Sequence, residues 1–197
     1  MIGVEAYRNY QRSKAAPWVQ TYKWPILCFI AVGFWNVIGA GLLGFSVNTP
    51  IALYYMQGMN LTAAHGHAAL FGVYGMLGIG LLLFCLRGMS DRAAWSDKLL
   101  QPMFWLLNIG LGMMVFISLL PAGIYQAWAS ITQGVWYARS AEVVHSHLME
   151  TFVWMRVPGD IVFSIGVFFL VAFAWRLVAK ATPSKEQALS TVRPIKN

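Results

Sequence analysis

The sequence predicts an all-α integral membrane protein with four transmembrane helices. Of its 197 residues, 58% are hydrophobic and only 11% are charged, whereas about a quarter of the residues in a soluble domain carry charges. Four apolar stretches are each long enough for a helix to cross the hydrocarbon core, which takes about 20 residues. Most Lys and Arg residues lie beside these stretches. A lipid bilayer is therefore the predicted solvent.

The predicted transmembrane helices run from Pro25 to Val47, Ala63 to Leu86, Pro102 to Tyr125 and Ile161 to Val178. Together they define a transmembrane domain over residues 25–180. Residues 48–62 connect the first helix to the second, and residues 126–158 connect the third to the fourth. The first connection suits a short amphipathic helix that lies at the membrane interface.

The distribution of Lys and Arg predicts the orientation of the chain. Twelve of the fourteen fall on the side that carries both termini, and only Arg139 and Arg156 fall on the other. Because positive residues accumulate in cytoplasmic loops, we expect both termini to be cytoplasmic. Residues 1–24 then form a cytoplasmic N-terminal segment, and residues 181–197 a cytoplasmic tail. The connections 48–62 and 126–158 become outer loops.

Charge and cysteine content argue against two other classes of protein. The net charge of +7 comes from residues that flank apolar runs. They form no basic cluster that could follow phosphates, so no nucleic-acid partner is expected. Cys28 and Cys85 lie singly within apolar runs, without the spacing of a disulfide framework or a zinc site.

His65 and His67 are the leading candidates for a functional site, because an ionisable residue inside a membrane helix is costly. Residues two apart on an α-helix point about 200° away from each other, so one metal ion cannot take both. Two planar porphyrins, one on each flank, fit this spacing with imidazole as the axial ligand. Gly66 and neighbouring alanines keep the helix slim, and Thr62 suits its N-cap. The alternative is that both histidines hydrogen-bond to neighbouring helices or to headgroups.

The sequence around these histidines resembles a known family. Residues 61–76, Leu-Thr-Ala-Ala-His-Gly-His-Ala-Ala-Leu-Phe-Gly-Val-Tyr-Gly-Met, resemble the tenth core helix of the haem–copper oxidase superfamily, in particular its nitric oxide reductase branch. Residues 152–163, Phe-Val-Trp-Met-Arg-Val-Pro-Gly-Asp-Ile-Val-Phe, resemble the start of the last helix in quinol-dependent nitric oxide reductases. The resemblance covers essentially the whole chain, but only the last four helices of the family's twelve-helix core bundle.

The resemblance implies a set of cofactors and a reaction. His65 would be the catalytic residue that ligates the iron of high-spin haem b3, and His67 would ligate the iron of low-spin haem b. The activity would be reduction of two NO to N2O and water in a bacterial cytoplasmic membrane, with quinol or cytochrome c as the electron donor.

The family's remaining ligands come from earlier helices that this chain does not contain. They comprise three histidines and a glutamate for a non-haem iron, and the second axial histidine of haem b. The expected partner is therefore the remainder of the catalytic subunit. The chain is expected to be a C-terminal fragment or a split subunit that another chain completes.

Asp160 and Arg156 flank Pro158-Gly159 at the expected outer mouth of the last helix. The helix dipole favours a carboxylate at that position, and an interfacial Arg needs no further role. In the quinol-dependent enzymes that the chain resembles, an Asp at this position borders the quinol pocket. There it would accept a proton or a hydrogen bond from the quinol hydroxyl. The resemblance thus implies a quinol pocket at Asp160 and Arg156. Both interpretations stay open.

Two other functions compete with nitric oxide reduction. Relatives in the same superfamily could dismutate NO or reduce oxygen, since they differ mostly at parts that this chain does not complete. A non-catalytic subunit that binds haem b for electron transfer is the alternative from another class. The other three predicted helices contain no histidine, so bis-histidine ligation within the chain is not expected.

A second His-x-His pair, His145 and His147, serves as a control. It lies in the outer loop among polar residues, so we predict solvated surface histidines. The outer tryptophans are predicted to form an interfacial belt; they are Trp128, Trp136 and Trp154.

Overall fold

The computed structural model describes residues 2–13, 16–90 and 94–181, which are helical almost throughout. Four helices are long and apolar enough to cross a membrane: Lys23–Asn48, Asn60–Met89, Asp97–Gln133 and His147–Lys180. They are named here the first to fourth spanning helices. The predicted fold class, an all-α integral membrane protein with four transmembrane helices, is confirmed.

Short helices precede and connect the spanning helices. They are Ile2–Ser13, Pro17–Thr21, Pro50–Met56 and Ala141–Val144, with a 3-10 turn at Tyr137–Arg139. The helix predicted between the first and second spanning helices is present as Pro50–Met56. Most of the predicted tail, residues 182–197, lies outside the described residues, as do Lys14 and Arg92.

The spanning helices extend beyond the apolar stretches that predicted them. The third continues to Gln133, and the fourth begins at His147, so much of the predicted connection 126–158 is helical. The physical reason is that polar side chains near a helix end interrupt the run of apolar residues from which the helix was predicted, while the backbone remains helical. Gln126 and Ser130, for example, are buried between helices and bond to neighbouring segments.

The fourth spanning helix has a break at residues 155–156, which separates His147–Trp154 from Val157–Ala181. Pro158 follows the break directly. A proline has no N–H to donate and disfavours helical geometry in the residue before it, but the first turn of a helix accepts it. The sequence thus starts a new helix here and leaves Arg156 in the turn.

Glycines allow the helices to approach closely. A Cβ on Gly110 of the third helix would lie 2.5 Å from the backbone nitrogen of Phe163, and one on Gly166 would lie 2.9 Å from that of Leu107. Small residues at such crossings let membrane helices pack without a hydrophobic driving force. Half of the third helix's most apolar stretch is buried, against 17% for the fourth. The third helix is therefore the centre of the bundle.

A buried polar bridge joins the first spanning helix to the third. Trp35 is 1% exposed, and its Nε1 donates to Oδ1 of Asn108 at 2.9 Å. The Nδ2 of Asn108 donates to the Phe104 carbonyl at 2.8 Å. Hydrogen bonds between membrane helices contribute about 0.6 kcal/mol on average, but a buried donor without an acceptor costs about 1–3 kcal/mol.

We expect Asn108→Leu to lower the free energy of unfolding by about 1–2 kcal/mol, because Trp35 Nε1 loses its acceptor. The measurement is reversible unfolding of the purified protein in detergent mixtures. Asn36→Leu is the matched control, since Asn36 is exposed on the same helix as Trp35. Equal stability of the two variants would contradict the role given to the bridge.

The ends of the bundle differ in chemistry. One end, named here the basic end, carries three long-range ties: Trp24 to Asp97 at 2.7 Å, Arg87 to the Thr21 carbonyl and Arg176 to the Ala94 carbonyl. The opposite end, named here the histidine end, carries residues 49–59 and 134–146 between the helices, and the His65–His67 pair lies near it.

Candidate functional site

A side chain of the third spanning helix anchors the start of the helix that carries His65 and His67. Asn60, the first residue of the second spanning helix, donates from its backbone N–H and its Nδ2 to Oε1 of Gln126, at 2.9 and 3.0 Å. The first N–H groups of a helix have no partner within it, so Gln126 replaces an N-cap. Thr62 is not the N-cap, because the helix begins two residues earlier, at Asn60.

His65 points towards the first spanning helix. Its Nδ1 lies 2.9 Å from the carbonyl oxygen of Gly39. The ring also lies against Gly44, where a Cβ would come within 2.9 Å of Cε1. Gly44 therefore leaves the room that the imidazole fills, and Gly39 provides its backbone partner.

The first spanning helix is wound as a π-helix over Asn36–Leu43. Within this stretch the Gly44 N–H reaches back five residues to the Gly39 carbonyl, which has a second lone pair for His65. Interruptions of this kind occur frequently at functional sites. The space between Gly39 and Gly44 that holds the imidazole is named here the socket of His65. The sequence signal for it was the group Gly39, Gly41 and Gly44, which the sequence analysis did not use.

His67 points towards the third and fourth spanning helices. Its Nδ1 lies 2.9 Å from the Ala63 carbonyl in the preceding turn, and its Nε2 lies 3.0 Å from Nη2 of Arg156. The ring centre is 5.7 Å from that of Phe71. The two histidines thus face different helices, as their spacing predicts.

The hydrogen-bond partners fix the tautomer of each imidazole. A carbonyl oxygen only accepts, so Nδ1 of His65 and Nδ1 of His67 both carry the hydrogen. Guanidinium only donates, so Nε2 of His67 carries a lone pair where Arg156 meets it. Metal-ligating histidines usually donate their second ring N–H in this way, which orients the ring.

A cavity of about 310 Å³ opens beside His67. Its walls come from three of the spanning helices; the residues are His67, Phe71, Met114, Arg156, Asp160, Phe163 and Ser164. Apolar side chains form one part of this wall, and the other part carries a charged pair. Such a pocket, apolar with a few convergent polar groups, is typical of a ligand site.

Arg156 and Asp160 form the charged pair at this cavity. Nε of Arg156 lies 3.3 Å from Oδ1 of Asp160, and the side chains are 37% and 45% exposed. The same guanidinium contacts His67. The structure therefore brings together three of the four predicted site residues, while His65 lies on the other flank of the helix.

The control pair behaves differently from His65 and His67. His145 and His147 are exposed at the histidine end. Trp128, Trp136 and Trp154 are exposed by 57%, 85% and 73%. Nearby, Tyr137 donates to Glu142 at 3.1 Å, and this hydrogen bond raises the pKa of the tyrosine hydroxyl.

The chemistry of the donors fits one axial haem ligand on each flank. Each imidazole has its Nδ1 hydrogen engaged by a carbonyl, which leaves Nε2 as the ring nitrogen that could ligate a metal. Among residues 2–13, 16–90 and 94–181, no three His, Cys, Asp or Glu side chains gather as a set of metal ligands. A haem on either flank would need only one imidazole from this helix.

Comparisons with known proteins cover this site. A family model described as Cytochrome C and Quinol oxidase polypeptide I matches residues 14–162, which include His65, His67, Arg156 and Asp160. A subunit of the nitric oxide reductase of Stutzerimonas stutzeri is 31% identical to this chain over 144 residues. The match covers 71% of the chain and 30% of that relative, so the chain spans less than a third of the relative's length.

Proposed function

The chain belongs to the cytochrome c and quinol oxidase polypeptide I family, and on that premise we propose that it is part of a membrane nitric oxide reductase. Family membership makes it part of a membrane oxidoreductase. The 31% identity to the nitric oxide reductase of Stutzerimonas stutzeri supports NO as the substrate. The proposed reaction converts two NO, two electrons and two protons into N2O and water.

The opposed geometry of His65 and His67 carries this proposal. One imidazole faces the Gly39 carbonyl of the first spanning helix, and the other faces the cavity beside the fourth. Each ring is held in the tautomer that leaves Nε2 as the ligating atom. Two haems on opposite flanks of one helix would use both histidines, each through its Nε2.

We assign His65 to high-spin haem b3 and His67 to low-spin haem b. When bound, these haems, with a non-haem iron that the remainder of the catalytic subunit ligates, supply the electron transfer and the NO chemistry. His65 would hold its haem through Nε2. The Gly39 carbonyl orients the ring, as outer partners of metal-ligating histidines do.

On the other flank, the Ala63 carbonyl orients His67. His67 would hold haem b from this flank, and a residue from the remainder of the catalytic subunit would hold it from the other side. The cavity wall of Phe71, Met114 and Phe163 is suited to a flat apolar ring.

Asp160 is our candidate for the residue that meets the electron donor. It lies in the first turn of Val157–Ala181 and lines the cavity beside His67. A carboxylate there can accept a hydrogen bond or a proton from a quinol hydroxyl. We therefore favour quinol over cytochrome c as the donor.

The positive-inside rule supports the orientation that we propose. The basic end lies in the cytoplasm, and the histidine end lies at the outer face of a bacterial cytoplasmic membrane. Asp160 and Arg156 are then on the outer side.

Product analysis tests the reaction. The complete enzyme, purified with the rest of its catalytic subunit, is given quinol and 15N-labelled NO without oxygen, and its gases are followed by mass spectrometry. We expect labelled N2O. Labelled N2 together with oxygen would assign NO dismutation instead, and oxygen uptake without NO turnover would assign oxygen reduction. A low-spin bis-histidine spectrum from the isolated chain would favour the non-catalytic haem b protein.

Gly44→Ala tests the socket of His65. A Cβ there would lie 2.9 Å from Cε1 and 3.3 Å from Nδ1 of His65, so the ring must shift, which disturbs the contact of its Nδ1 with the Gly39 carbonyl. Loss of such an outer partner typically costs about 10–100-fold in metal affinity or activity. We expect a loss of this size in NO turnover and a shifted iron–histidine stretching band of the high-spin haem.

Gly78→Ala is the matched control for this substitution. It adds the same methyl group to the second spanning helix, and no described atom outside its own helix turn lies within 4 Å of the added Cβ. Full turnover in Gly44→Ala with an unshifted band would show that the Gly39 contact does not position His65.

A further inference from the structure

Arg156 lies between two residues for which separate roles were predicted. Its Nη2 is 3.0 Å from Nε2 of His67, and its Nε is 3.3 Å from Oδ1 of Asp160. Guanidinium has five N–H donors, no acceptor and a permanent charge. It therefore donates in both contacts, and one rigid plane connects the imidazole to the carboxylate.

The local sequence places Arg156 at this position. It lies in the turn before Val157–Ala181, and Asp160 follows one helical turn later. The Asp160 N–H donates to the Arg156 carbonyl at 3.0 Å, which holds the two residues on the same side. Their side chains then meet at the mouth of the cavity.

The surroundings strengthen the effect of this pair on anything bound beside His67. Phe71, Met114 and Phe163 line the cavity, and charges act more strongly where the surroundings are apolar. The pair as built is neutral. Removing either member leaves one uncompensated charge next to His67, although partial exposure of both side chains weakens that charge.

We infer that Arg156 is the residue through which Asp160 sets the reduction potential of the haem held by His67. The inference rests on the proposed role of His67 as an axial ligand. Iron ligation would take the Nε2 lone pair that accepts from Arg156 here. Arg156 lines the same cavity as His67, so its guanidinium would then act on the haem as a charge, and Asp160 would neutralise that charge.

The sign of each effect follows from the charge of the haem. Oxidised haem carries one more positive charge than reduced haem. An unpaired Arg156 therefore favours the reduced form and raises the potential, and an unpaired Asp160 favours the oxidised form and lowers it. One unit charge at this range, partly screened, changes the ratio of the two forms by about tenfold, which equals about 59 mV for one electron.

The experiment is a spectroelectrochemical titration of the low-spin haem in the complete enzyme, at one fixed pH. The variants are Asp160→Asn, Arg156→Gln, Arg156→Lys and the double variant Arg156→Gln/Asp160→Asn. Arg139→Gln is the matched control, because Arg139 is at the same end of the bundle but bonds to the Gln57 and Val135 carbonyls.

We expect Asp160→Asn to raise the potential and Arg156→Gln to lower it, each by about tenfold in the ratio of the two forms. The double variant, Arg156→Lys and Arg139→Gln should stay near the wild-type value. If Arg156→Gln assembles without low-spin haem, the test is the potential of Asp160→Asn, compared with the potentials of Arg156→Lys and Arg139→Gln. Unchanged potentials, or shifts of the same sign in both single variants, would overturn the inference.

His67→Ala separates this inference from the proposed function. If that variant keeps its low-spin haem, the ligand assignment itself is wrong. If it loses the haem while Asp160→Asn and Arg156→Gln leave the potential unchanged, the assignment stands and only the role of Arg156 fails.

Discussion

Replacing His65 with alanine is expected to remove the high-spin haem from the complete enzyme and to abolish NO reduction. His65 is the one histidine on its flank of the second spanning helix, and its ring is held by Gly39 and against Gly44. The two residues that contact the ring there, Gly39 and Gly44, have no side chain that could replace it. Loss of an outer partner alone costs about 10–100-fold, so we expect a loss of more than about 100-fold in turnover.

The measurement for His65→Ala combines three readouts: haem content per enzyme, the high-spin optical and EPR signals, and N2O production. Haem content should fall from two to one, with the low-spin signal retained. His145→Ala is the matched control, since it removes an exposed imidazole from the same chain. Full high-spin haem with undiminished turnover in His65→Ala would refute the assignment.

His67→Ala is expected to give the complementary result. The low-spin haem should be lost while the high-spin haem remains, because the two imidazoles face different neighbours. On the proposed role of haem b, electrons from quinol would then have no route to the catalytic haem, so quinol-driven turnover should fall by more than about 100-fold, as in His65→Ala. EPR of the oxidised enzyme reports which haem is missing.

Complementary losses separate ligand removal from general damage. A variant that simply misfolds would lose both haems together, and His147→Ala supplies the control with an exposed imidazole. If His65→Ala and His67→Ala each removed both haems, the pair would act as a packing element of the helix.

The fold and the opposed histidines could be predicted because they depend on local pattern. Apolar runs predict spanning helices through their length, and a spacing of two fixes the angle between side chains on a helix. Neither property requires knowledge of how the helices pack. The roles proposed for the haems rest on family resemblance, because spacing alone could not provide them.

The partners of these histidines could not be predicted, because they come from distant parts of the chain. Gly39 is 26 residues from His65, Arg156 is 89 residues from His67, and Gln126 is 66 residues from Asn60. Each contact depends on the crossing of two helices, which glycines such as Gly110 set. A sequence pattern contains the glycines but not the crossing geometry.

The role of Arg156 illustrates this limit most clearly. Its neighbours in sequence, Pro158 and Asp160, placed it at a helix mouth, and resemblance placed it near a quinol. The structure adds the contact with His67, which connects the predicted quinol carboxylate to a predicted haem ligand. That connection led to the expected opposite shifts in potential.

The most direct test of the account is an electron cryo-microscopy structure of the complete enzyme with its haems bound. We predict two haem irons on opposite flanks of the second spanning helix, one ligated by Nε2 of His65 and the other by Nε2 of His67. Each Nδ1 should still bond to its carbonyl, Gly39 or Ala63. An enzyme that is loaded with haem but has either Nε2 away from an iron, with Arg156 still bound to His67, would contradict the central claim.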